Sequence, residues 1–137
     1  MKISHLDTFR PPQPGAVASR KMLNSSIDEN TLHLSLVEHI RRRARPQVFW
    51  THIPSGERRP PGVGGKLKGM GLKAGIPDFM FIDGGPPRFL ELKRVDGRLR
   101  SDQVDTIEQL RAAGAVVAIA YGLDEALRIL TEWGFIR

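Results

Sequence analysis

The sequence predicts an α/β domain with the element order αβββαβα. Short apolar runs of strand composition lie at 47–53, 76–82, 88–94 and 115–121, and helical periods begin near Ile27, Asp102 and Asp124. Gly- and Pro-rich stretches separate them, as turns and loops require. With 137 residues, 40% of them hydrophobic, the chain has material for one modest core and one domain.

Residues 1–25 contain Pro11-Pro12-Gln13-Pro14-Gly15 and no sustained apolar period, so they read as an extended arm ahead of a domain at 26–137. Ser26 followed by Glu29 forms a capping-box pattern, and Leu32, Leu36, Val37, Ile40 and Ala44 continue a helix over 27–44. Pro46 ends it, and the strand at 47–53 follows. The segment 57–75, rich in Gly, Pro and Lys, is expected to be irregular. Asp83-Gly84-Gly85-Pro86-Pro87 joins the next two strands as an antiparallel hairpin. A helix over 102–113 stops at Gly114, a buried strand spans 115–121, and a last helix covers 124–133.

The absence of cysteine excludes a disulfide framework and thiolate zinc sites, and suits a reducing compartment. No apolar run reaches the roughly 18 to 20 residues that span a bilayer, and the first residues lack a signal-peptide core, so no membrane partner and a cytoplasmic location are expected. The net charge of +6 points to a polyanionic partner. Through Gly75 there are thirteen Lys or Arg against five acids, whereas from Ile76 onward there are eight against ten. A basic half that holds a phosphate backbone beside a half whose carboxylates need a cation fits this split.

In Phe89-Leu90-Glu91-Leu92-Lys93, alternation places Glu91 and Lys93 on one face of a strand and the two leucines on the other. The hairpin brings Asp78, which interrupts an apolar run, close to them. Two carboxylates and an ammonium at one end of a hairpin suit magnesium or manganese and phosphodiester hydrolysis; they also suit a cross-strand salt bridge. At about 100° per residue Glu29 falls within about 20° of Leu36 and Ile40, on the buried side of its helix, where it serves as a further metal ligand or as a capping carboxylate. Gln103 sits on the apolar face of its helix, four residues before Ile107, as a site residue or as a core-edge amide. Arg58, Arg59, Lys66, Lys68 and Lys73 form a cationic loop for a nucleic-acid backbone, joined by Arg94 and Arg98.

Gly75-Ile76-Pro77-Asp78-Phe79, then Glu91-Leu92-Lys93-Arg94, then Gly97-Arg98-Leu99 with Gln103, closely resemble the VRR-NUC branch of the PD-(D/E)xK nuclease superfamily. The resemblance runs from about Asp28 to Trp133 and departs where the family's Gly-Arg-Leu-Ser has Arg100. It implies a restriction-endonuclease-like αβββαβ core with a mixed central sheet flanked by helices, plus a C-terminal helix. It further implies that Asp78, Glu91 and Glu29 are metal ligands, Lys93 the catalytic lysine and Gln103 the glutamine after the Glu-x-Lys strand. Stand-alone members, of phage or bacterial type, are dimers similar to Holliday-junction resolvases, which implies a structure-specific endonuclease acting on branched DNA such as junctions or flaps. The rival is a catalytically silent basic DNA-binding module.

Gly69-Met70-Gly71-Leu72-Lys73-Ala74 fits a loose dinucleotide-loop pattern, but Pro77 and a strand follow where a helix is required, so no nucleotide cofactor is expected. His33 and His39 are six apart, a poor helical spacing for one metal, and His5 and His52 lack ligand-rich neighbours.

Overall fold

A computed structural model describes residues 27–54 and 60–137. The expected arm at 1–25 lies outside the described residues, as do Ser26, Arg58 and Arg59. Among the described residues the first helix, α1, spans Glu29–Arg43, and its N-cap is Asp28, whose carboxylate accepts the Thr31 N–H at 2.7 Å. That bond satisfies one of the orphan donors every helix start exposes. Leu32, Leu36 and Ile40 are buried, while Glu38 pairs with Arg42 at 3.5 Å on the solvated side.

Strand β1 is Phe49–His52, β2 is Phe79–Ile82, β3 is Arg88–Lys93 and β4 is Val116–Tyr121. They form one sheet in the order β1-β2-β3-β4, antiparallel across the first two pairs and parallel across the last. Parallel neighbours need a long crossover, supplied by helix α3, Ser101–Ala112, which ends ahead of Gly114 in the left-handed region. Helix α4, Leu123–Glu132, follows β4 directly. The mixed α/β architecture is the one expected.

One expectation fails. The segment 57–75 is not wholly irregular, because Val63–Gly69 forms a short helix, α2. Gly64, Gly65 and Gly69 argue against a helix at about 1 kcal/mol each, which is why composition alone predicts a loop. A local ladder closes it nonetheless, from Lys66 N–H to the Gly62 carbonyl and from Met70 N–H to that of Lys66.

The sheet separates two apolar layers. On one face Phe79, Phe81 and Leu90 pack with Leu36 and Ile40 of α1 and Ile129 and Leu130 of α4. On the other, Phe89, Val117 and Ile119 pack with Ile107 of α3. Beyond α4 the chain turns back: Phe81, Trp133 and Phe135 bring their rings within 6.3 Å of one another, and the Arg88 guanidinium lies 5.4 Å from the Trp133 ring. The Phe135 carbonyl and the Arg137 N–H then bond the chain at Arg45 and Arg43, fastening the end of α1. No helix among the described residues is long and apolar enough to cross a membrane.

Candidate active site

The site lies where the start of β2 meets the end of β3, beneath the first turn of α3. Phe79 pairs with Leu90, so continuing the antiparallel register by one residue sets Asp78 opposite Glu91. Asp78 is held from both sides. Its carbonyl accepts the Ile53 N–H at 2.7 Å and the His52 ring nitrogen at 2.9 Å, while its carboxylate accepts the Leu92 N–H at 2.9 Å.

The approach to Asp78 is fixed by Gly75, whose φ of 80° lies in the left-handed region. A Cβ at this residue would overlap the Asp102 carbonyl, 2.6 Å from its carbon and 2.7 Å from the Gln103 nitrogen. Only glycine lets the loop come this close to α3. Thr106 adds a hydroxyl bond to the Ala74 carbonyl at 2.6 Å, so the chain leading to Asp78 rides on the N-terminal turn of α3.

Glu91, Lys93 and Gln103 are each no more than 7% exposed. Glu91 and Lys93 share the α3 side of β3 with Phe89, as strand alternation requires. The Lys93 ammonium stands 3.7 Å from a Glu91 carboxylate oxygen, and the Gln103 amide donates to that same oxygen at 2.9 Å. The Gln103 carbonyl oxygen accepts the Arg100 N–H at 2.9 Å, so one amide caps α3 and orients Glu91 at once. Gln103→Leu strands both partners, and is expected to cost about 1–3 kcal/mol of stability in denaturant melts.

Burial pushes the Glu91 carboxyl up to about 8, with the Asp78 charge adding to the rise and Lys93 and the Gln103 bond opposing it. Burial also raises Asp78, against the Leu92 N–H and the charges of His33, His52 and Lys93. Two facing carboxylates that resist ionising together are favoured by a nearby cation, and their hard oxygens are the donors a divalent ion prefers. The folded protein holds these protons more tightly than the unfolded chain, whose Glu titrates near 4.5. The stability they confer on the metal-free protein is therefore full below about 4.5 and is lost as pH rises through about 8. Unfolding free energies from chemical denaturation between pH 5 and 8.5 should fall in the wild type, on the order of a few kcal/mol, and fall less in Glu91→Gln.

The structure thus brings Asp78, Glu91, Lys93 and Gln103 together. It does not add Glu29, which is exposed in the first turn of α1 rather than turned to the buried side. Helical periodicity fixes its angle but not how far the neighbouring layers reach, and the cover begins at Leu32. Among the described residues no three His, Cys, Asp or Glu are gathered closely enough to hold a metal ion, so the pair Asp78 and Glu91 stands without a third such ligand. Lys66, Lys68 and Lys73 are exposed, as is Arg98, whereas Arg94 is partly buried with Nε 3.4 Å from Asp96. A cleft of about 420 Å³ separates Lys68 and Lys73 from the Asp102, Asp105 and Gln109 side of α3.

Two residues that spacing along the chain sets aside stand beside Asp78. The His33 ring of α1 lies 4.4 Å from the His52 ring of β1 in an edge-on arrangement, and stacks on Phe79 at 4.7 Å. The two histidines lie nineteen positions apart in sequence, so only the packing of α1 on the sheet reveals the pair.

Among solved structures, the chain is similar to a VRR_NUC domain protein, with a TM-score of 0.62 and 20% identity over 79% of this chain and 88% of that one. Comparison with protein-family models finds no match, and comparison with curated proteins finds none either.

Proposed function

We propose that this chain, which carries the fold of a VRR_NUC domain protein, is a divalent-metal-dependent nuclease that hydrolyses phosphodiester bonds in branched DNA. The observation that supports this most is the buried Glu91 set opposite the half-buried Asp78, with the Lys93 ammonium 3.7 Å from Glu91. A salt bridge alone would not need a second carboxylate facing the first, nor an amide from helix α3 to aim it.

Asp78 and Glu91 are the residues that would hold magnesium or manganese, with water and phosphate oxygens completing the shell as these ions prefer. The ion, when bound, neutralises the phosphate and makes a neighbouring water easier to deprotonate. In hydrolysis the water oxygen bonds to phosphorus, one P–O ester bond breaks, and the leaving oxygen takes up a proton. Lys93 stands where it orients that water or offsets charge on the transition state. Gln103 keeps Glu91 in its working rotamer. Lys66, Lys68, Lys73 and Arg98 contact the backbone of the duplex, whose affinity then falls steeply with salt.

Paired cuts on the two strands of a junction require two sites in fixed geometry, so the active form is a homodimer, to be seen as such by light scattering. The decisive assay sets labelled four-way junctions, flaps, nicked and linear duplexes and single strands against Mg²⁺, Mn²⁺ and chelator. Metal-dependent incision near the branch is the expected result. Metal-independent binding without incision of any substrate overturns the reading in favour of a DNA-binding module.

A further inference from the structure

We infer that His52 is a positioning residue for the metal-binding carboxylate of Asp78, its ring packed edge-on against that of His33. The inference rests on the metal-site reading above, but names residues that reading does not use. A backbone carbonyl only accepts, so the His52 nitrogen 2.9 Å from the Asp78 carbonyl carries its proton there. The same carbonyl also accepts the Ile53 N–H, and the Asp78 carboxylate is tied to Leu92 on the opposite strand. Asp78 is thereby strung between β1 and β3. Removing the β1 side-chain tether leaves one bond where there were two, at the residue directly opposite Glu91.

The His52 ring is packed by neighbouring rings as well as hydrogen-bonded. His33 meets it edge-on at 4.4 Å, and Phe79 stacks beneath His33 at 4.7 Å with its own ring 5.8 Å from that of His52. Phe79 is fully buried, so this support is anchored in the core. The chain of contacts runs from α1 through two imidazoles to the main chain of Asp78. Outer partners of metal ligands of this kind commonly govern affinity by about 10- to 100-fold.

The test separates the hydrogen bond from the packing. His52→Phe keeps the ring and loses the donor, whereas His52→Asn keeps a donor and loses the ring; His52→Gln, with a longer amide, replaces it if the Asn variant fails to fold. Binding of Mn²⁺ is read directly by electron paramagnetic resonance on the full chain, with thermal melts of each variant. The expected result is a Mn²⁺ dissociation constant about tenfold weaker in His52→Phe and within about twofold of wild type in the amide variant. The reverse order, with the Phe variant unaffected, overturns the inference and leaves His52 as a packing residue. Wild-type protein that binds no Mn²⁺ overturns the metal-site reading itself, and this inference with it.

Discussion

Glu91→Gln and Lys93→Met are each expected to slow the proposed metal-dependent cleavage by about 10²- to 10³-fold or more in single-turnover assays, the magnitude typical of removing one preorganised charged group from a reacting centre. The two variants part company in stability. Burial disfavours the Glu91 charge, so a neutral isostere relieves the folded protein, and Glu91→Gln melts at or above the wild-type temperature near pH 8 without metal. Lys93→Met removes the ammonium that opposes two carboxylates and melts lower. A site kept at the expense of stability is the pattern of function rather than of architecture. Glu91→Gln protein that cleaves at the wild-type rate ends the proposal.

Gly75→Ala is the substitution with the largest expected effect outside the charged residues. A side chain in the left-handed region costs about 1–2 kcal/mol, and forcing a methyl against main chain adds about 1–3 kcal/mol more. The Cβ meets the Asp102 carbonyl and Gln103 nitrogen, neither of which moves without shifting the start of α3. Stability therefore falls by about 2–5 kcal/mol, read from chemical denaturation. The proposed cleavage is expected to fall as well, because the same shift carries Gln103 away from Glu91 while leaving both residues intact. A variant that keeps wild-type stability shows that α3 can retreat from the loop at no cost.

Much of the fold is legible in the sequence because it rests on local patterns. The β2–β3 hairpin follows from two apolar runs around Gly84, and α3, β4 and α4 from a helical period, a continuous β run and a second helical period. The facing of Asp78 and Glu91 follows from strand alternation and one short turn. What the sequence conceals depends on reach or on tertiary packing. Glu29 has the right helical angle but stands beyond the cover of its neighbours, and α2 hides behind its glycines. The cap falls on Asp28, a residue whose role competes with that expected of Ser26. His33 and His52 belong to different elements, and nothing in their spacing announces that α1 lays one against the other.

The aromatic cluster at the chain's end makes the protein its own optical reporter. There are two tryptophans, and they occupy unlike places: Trp133 is buried against Phe81 and Phe135, while Trp50 sits half-exposed on the edge strand, two residues before His52. Emission from Trp133 follows the integrity of the interior, and emission from Trp50 follows events at the margin of the site. In a Trp50→Phe background the remaining signal reports unfolding alone. The difference between the two proteins then isolates ligand-linked changes near β1 without any attached dye.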